Sequence, residues 1–167
     1  EIYMGTFSRL RYVIAANVNS LIEKAEDPEK LLRALIREME DASEEARVAC
    51  AELLAEQQRL QRLENRLDED QAEWQRRAEN AVTKGRDDLA RTALKARTEL
   101  ADQQAAALDE QKRVADRVTQ MEQDMLTLKT KLAEAKTKLK GMQAGKGPKQ
   151  VNAETSERLS PGERKIR

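Results

Sequence analysis

From Leu32 to Trp74 the chain carries a stripe of leucine and alanine that fixes what it can fold into. The stripe reads Leu32, Leu35, Met39, Ala42, Ala46, Ala49, Leu53, Glu56, Leu60, Leu63, Leu67, Asp70 and Trp74, with Glu56 and Asp70 its only breaks. Steps of three and four alternate, which is a heptad seam of period 3.5. Such a seam turns one face of a long helix toward a partner helix. Helices paired in this way enclose no pocket, so the expected function is one of surfaces.

Composition agrees. Charged residues make up 37% of the 167 residues and aromatics 2%, the balance of a coiled coil rather than of a globular core. Between residues 29 and 140 there is one glycine and no proline, so little opposes long helices. The 31 basic and 31 acidic side chains cancel and interleave, leaving no global field for direct nucleic-acid binding. Histidine is absent, which removes the commonest neutral-pH base and metal ligand.

Cys50 stands alone beside Ala49 and reads as a small packed thiol. Glu44/Glu45 and Asp87/Asp88 read as solvated helix faces. Gly145-Lys146-Gly147 follows no strand and is not a phosphate loop. The expectation is a non-enzyme with no catalytic residue, no cofactor and no metal. No signal peptide or apolar run near the ~20 residues of a bilayer span is found, so a cytoplasmic chain with peripheral membrane contact is expected.

Residues 1–3 precede Met4 and read as an upstream extension. Gly5 to Lys24 reads as one short amphipathic helix, with Phe7, Leu10, Ile14, Val18, Leu21 and Ile22 in an arc of about 120° and Arg9 and Arg11 near its start. Two readings fit. The helix is buried against the main body, or it lies in a membrane surface with those residues and the arginines against anionic lipid.

Asp27-Pro28-Glu29 starts the long helix as N-cap, first-turn proline and dipole-matched acid. Gly85, within residues 83–88, supplies the one plausible turn. The returning arm carries a second seam of Val114, Val118, Met121, Met125, Leu128, Leu132, Ala135 and Leu139. A fold at Gly85/Arg86 pairs positions whose numbers sum to about 171, which sets Ala42, Ala46 and Ala49 opposite Leu128, Met125 and Met121. Small residues meet large ones, as close packing needs.

The predicted hairpin core is Leu32, Leu35, Met39, Leu53, Leu60, Val118, Met121, Met125, Leu128, Leu132 and Leu139. Trp74, near the turn, either plugs a weakening seam or anchors a partner; the second is the expectation. Three segments follow: an extension and amphipathic helix over 1–24, an antiparallel coiled-coil hairpin over 25–140, and a disordered polar tail over 141–167. The fold class is all-α, and self-association is expected because a two-helix pair leaves much of each helix uncovered.

Met4-Gly5-Thr6-Phe7-Ser8-Arg9, Ala25-Glu26-Asp27-Pro28-Glu29-Lys30-Leu31 and Glu38-Met39-Glu40-Asp41 occur in order. Glu73-Trp74-Gln75 and Arg86-Asp87-Asp88-Leu89-Ala90-Arg91-Thr92-Ala93-Leu94 follow them. Together they resemble the phage shock protein A and plastid vesicle-inducing protein family, which is similar to ESCRT-III proteins. The resemblance covers about residues 4–140 and implies an N-terminal amphipathic helix on a helical hairpin. It also implies assembly into rings or rods that protect and remodel the bacterial inner membrane under envelope stress. It further implies a AAA+ transcription activator as partner, its ATPase inhibited near Trp74. The family's further helices are expected to be missing after Gly141. The alternative is a purely structural coiled-coil scaffold.

Overall fold

A computed structural model describes the backbone of residues 2–163 and the side chains of residues 9–145. Four helices follow one another: α1 (Ile2–Ala15), α2 (Val18–Glu23), α3 (Pro28–Thr83) and α4 (Asp87–Glu163). No strand occurs among the described residues.

The ends of α3 are set by local chemistry. The Asp27 carboxylate accepts the Lys30 N–H at 3.2 Å, Pro28 opens the first turn, and Glu29 lies in that turn. At the other end Gly85 adopts φ +72°. Its N–H donates to the Val82 carbonyl at 3.0 Å, and the Arg86 N–H donates to the Ala81 carbonyl at 2.8 Å. These two bonds form a Schellman closure. A Cβ at Gly85 would meet no neighbouring atom, so the left-handed backbone alone calls for glycine. Asp87 and Asp88 then fill the first turn of α4, where the dipole favours acids.

The chain divides into two compact units. One, Arg47–Gln123, is the turn-proximal hairpin. Its buried positions are Ala49, Cys50, Leu53, Leu60, Leu67, Ala78 and Ala81 on α3, and Ala90, Ala93, Ala107, Val114, Val118 and Met121 on α4. The positions nearest the turn are all alanine, as suits two helices leaving a three-residue connection.

Three side-chain bonds fix the pairing in this unit. Gln71 donates to Gln104 at 2.7 Å, Arg97 to Gln75 at 2.5 Å, and Gln111 to Glu64 at 3.1 Å. Their numbers sum to 175, 172 and 175, within about one helical turn of the predicted 171. Within this unit the α3 seam also departs from the predicted one at a single step. Asp70 is exposed and half-buried Gln71 takes the inward place, after which the stripe continues through Trp74, Ala78 and Ala81. Glu56 stays at the seam edge by pairing with Arg59 at 2.6 Å on its own helix, a bond that lowers its pKa.

The other unit joins residues 1–46 to residues 124–167, and so holds α1, α2, the start of α3 and the later part of α4. Leu10, Val13, Ile22, Leu32, Ile36, Met39, Ala42, Ala46, Leu128 and Ala135 form its core. Of the predicted hairpin core, Leu35, Met125, Leu132 and Leu139 are half-buried, and Ile36 is buried beside Leu35. Glu40 and Lys136 pair across α3 and α4 at 3.2 Å.

One boundary differs from the sequence reading. The single helix expected over Gly5–Lys24 is broken between Ala15 and Val18. Asn17 leaves helical dihedrals at φ −87° and ψ 94°, and its side chain accepts the Ser20 N–H at 3.1 Å, so it caps α2. α4 is described as far as Glu163, past Gly141, where the polar tail is expected to begin. Gly85 is the only positive-φ glycine among the described residues, so Gly141 does not act as a helix stop. Glycine inside a helix costs about 1 kcal/mol against alanine, and the surrounding Lys, Gln and Ala are good helix formers.

Candidate functional site

The N-terminal segment is built onto its unit by apolar and polar contacts together. Leu10 is 0% exposed and Ile22 5%. Ile14 and Val18 are half-buried, while Leu21 and Arg11 are exposed. Phe7 lies in α1, outside the residues whose side chains are described. Val13 was not among the expected apolar positions, yet it is buried, and Tyr12 beside it is 79% exposed. The break at Ala16 and Asn17 re-aims the chain, so the predicted arc is not one continuous face.

Arg9 divides its guanidinium fork among acids of α3. One nitrogen lies 3.0 Å from Glu38 and 3.8 Å from Asp41, and the other 2.9 Å from Glu45. These acids sit three and four residues apart, on one face over two turns. The hydrogen bond that Arg9 donates to Glu38, and then the charge of Glu45, hold the Arg9 proton more tightly than usual. All four side chains are more than a third exposed, so solvent and salt screen these pairs and each contributes little to stability.

From α4, Lys131 donates to the carbonyls of Ile14 and of Ala16, the latter at 3.3 Å. Carbonyls at a helix end lack intrahelical donors, and a cation there also meets the negative end of the dipole. Lys138 donates to the Asn19 side chain at 2.6 Å. Around these contacts lies an open groove of about 590 Å³, lined by Asn17, Asn19, Lys131, Glu134 and Lys138 among others.

Near the turn, Trp74 is half-buried with the Arg77 guanidinium 4.8 Å from its ring centroid. Arg77 also pairs with Glu73 at 3.3 Å, and Arg76 with Glu73 at 2.6 Å. The Arg76 hydrogen bond is the main reason the Glu73 carboxyl titrates below its usual range. Trp74, Arg77, Lys84, Arg86 and Leu89 line a groove of about 320 Å³. Leu89 is 49% exposed there. Trp74 is thus partly covered while it also lines this open groove.

Cys50 is buried, and burial first, then the Glu122 charge, pushes its thiol pKa up. A thiol kept protonated in this way is a poor nucleophile. Among the described residues no group of His, Cys, Asp and Glu could hold a metal ion, and no helix is long and apolar enough to cross a membrane.

Comparison with known proteins places this arrangement. A model of the PspA/IM30 family matches residues 5–160, about twenty residues beyond the span of the resemblance read from the sequence. The membrane-associated protein Vipp1 of Synechocystis is 35% identical over 156 residues, covering 93% of this chain and 58% of that protein. The chloroplastic membrane-associated protein VIPP1 of Arabidopsis thaliana is 38% identical over 138 residues, 81% of this chain and 41% of that protein. A phage shock protein A homolog of Deinococcus radiodurans is 34% identical over 158 residues, 94% of this chain and 70% of that protein. The chain thus spans about half the length of the Vipp1 relatives it matches. With the family model matching nearly its whole length, the chain belongs to the PspA/IM30 family.

Proposed function

We propose that this chain is a phage-shock-type envelope stress protein, non-enzymatic and self-associating. It binds the anionic inner membrane peripherally through residues 5–24 and inhibits a AAA+ transcription activator through the Trp74 region. The observation that carries this reading is family membership alongside relatives named as membrane-associated proteins. The physical support is a separate N-terminal segment rich in apolar side chains. Each fully buried Leu, Ile or Val contributes roughly 1.5–3 kcal/mol, and each arginine near anionic headgroups adds about 1 kcal/mol.

Co-sedimentation with phosphatidylglycerol vesicles tests the membrane arm. The intact chain is expected to pellet with the vesicles, and a chain lacking residues 1–24 to stay in the supernatant with its helical circular dichroism retained. Equal pelleting of both would remove the N-terminal segment from the mechanism.

The activator arm rests on a half-buried tryptophan beside an open groove. Tryptophan anchors at interfaces contribute about 2 kcal/mol or more. Trp74→Ala is therefore expected to weaken inhibition of the activator's ATPase by about thirtyfold, with the far-ultraviolet spectrum unchanged. Inhibition that survives at full strength would remove Trp74 as the anchor.

A further inference from the structure

The geometry points to a latch: Lys131 of α4 holds α1 and α2 docked in a membrane-silent state, and membrane binding requires that contact to open. The inference rests on the membrane reading above. Leu10 and Ile22 are buried within their unit, and they belong to the same set that would enter a bilayer. A side chain cannot occupy both places. Docking and insertion therefore compete, and apparent membrane affinity falls by the fraction of chains with the segment released.

The polar contacts differ in what they select. Arg9 pairs with Glu38, Asp41 and Glu45 in the docked state, and anionic headgroups would offer the released residue an equivalent partner. Its charge is served in both states, so it biases the choice little. Lys131 is different. Its bonds go to the Ile14 and Ala16 carbonyls, where α1 ends and the chain turns toward Asn17. A phosphate headgroup has no donor to replace it there. Lys131 therefore favours only the docked state, with Lys138 on Asn19 about two turns further along α4.

This assignment reverses an ordinary electrostatic expectation. Lys131→Ala removes a positive charge, which by simple attraction to anionic lipid would weaken binding. The latch predicts the opposite. Binding of the full chain to phosphatidylglycerol vesicles should tighten about tenfold, the scale of a lost hydrogen bond from a charged group. Amide hydrogen exchange of residues 10–15, measured without lipid, should quicken by a similar factor while residues 48–80 keep their protection.

Unchanged exchange at residues 10–15 would overturn the latch. So would faster exchange combined with vesicle binding equal to or weaker than that of the parent chain. Faster exchange with no vesicle binding by either chain would also overturn the control of membrane binding, and it would mark the membrane reading itself as the failure. Lys131→Arg, which keeps a cationic donor, should restore slow exchange and parent-like binding. A failure of this rescue would show that Lys131 acts only through its packing.

Discussion

Met121→Ala is expected to lower the unfolding free energy by about 2–5 kcal/mol, the range for truncating a fully buried methionine or leucine. Met121 is 0% exposed in the turn-proximal hairpin, on the same seam as Val114 and Val118. Removing its thioether chain deletes apolar burial and leaves a void that two long helices, tied at one end by the Gly85 turn, close only in part. Leu126, on the same helix and 66% exposed, is the control, and Leu126→Ala should change stability by no more than about 0.5 kcal/mol. Urea unfolding followed by circular dichroism at a fixed protein concentration reads both, since self-association makes apparent stability depend on concentration. Comparable losses for the two variants would show that Met121 is not in the core.

Period and punctuation made the hairpin readable before any coordinates. A seam of 3.5-residue period cannot sit on anything but a long paired helix, and the Asp27-Pro28-Glu29 start and Gly85 turn are local chemistry acting over one turn. The register was legible to within about a turn, because small-against-large pairing constrains it that far. What escaped depends on weaker or longer-range effects. The place of Gln71 in the seam in preference to Asp70 follows from an amide pair with Gln104, 33 residues away. Asn17 did carry a signal, since Asn is a preferred N-cap residue, but an unbroken apolar arc masked it.

Glycine marks a helix end only where the backbone needs a positive φ, and spacing alone does not report φ. For the candidate membrane segment the ambiguity is physical. An apolar arc with flanking arginines suits a protein groove and a bilayer surface equally well. The contacts of Arg9 with α3 and of Lys131 with Ile14 and Ala16, 29 to 117 residues apart in sequence, describe the docked state, and no local pattern encodes them.

Leu10→Asp is expected to abolish vesicle binding while leaving the turn-proximal hairpin helical. Leu10 contributes to docking, being 0% exposed, and under the proposed mechanism it contributes to insertion as well. The substitution removes roughly 2 kcal/mol of apolar burial from either state and adds a charge whose burial costs several kcal/mol more. The docked state loses stability, so the segment is released, yet the released segment now carries a carboxylate on its apolar face and beside anionic headgroups. Release without insertion is the result. Exchange at residues 10–15 should therefore rise as it does in Lys131→Ala, while vesicle affinity moves in the opposite direction. That divergence separates two roles that a deletion of the segment would merge: Lys131 governs whether the segment is free, and Leu10 governs what a free segment can enter. If Leu10→Asp bound phosphatidylglycerol vesicles as the parent chain does, Leu10 would not be among the residues that meet the bilayer.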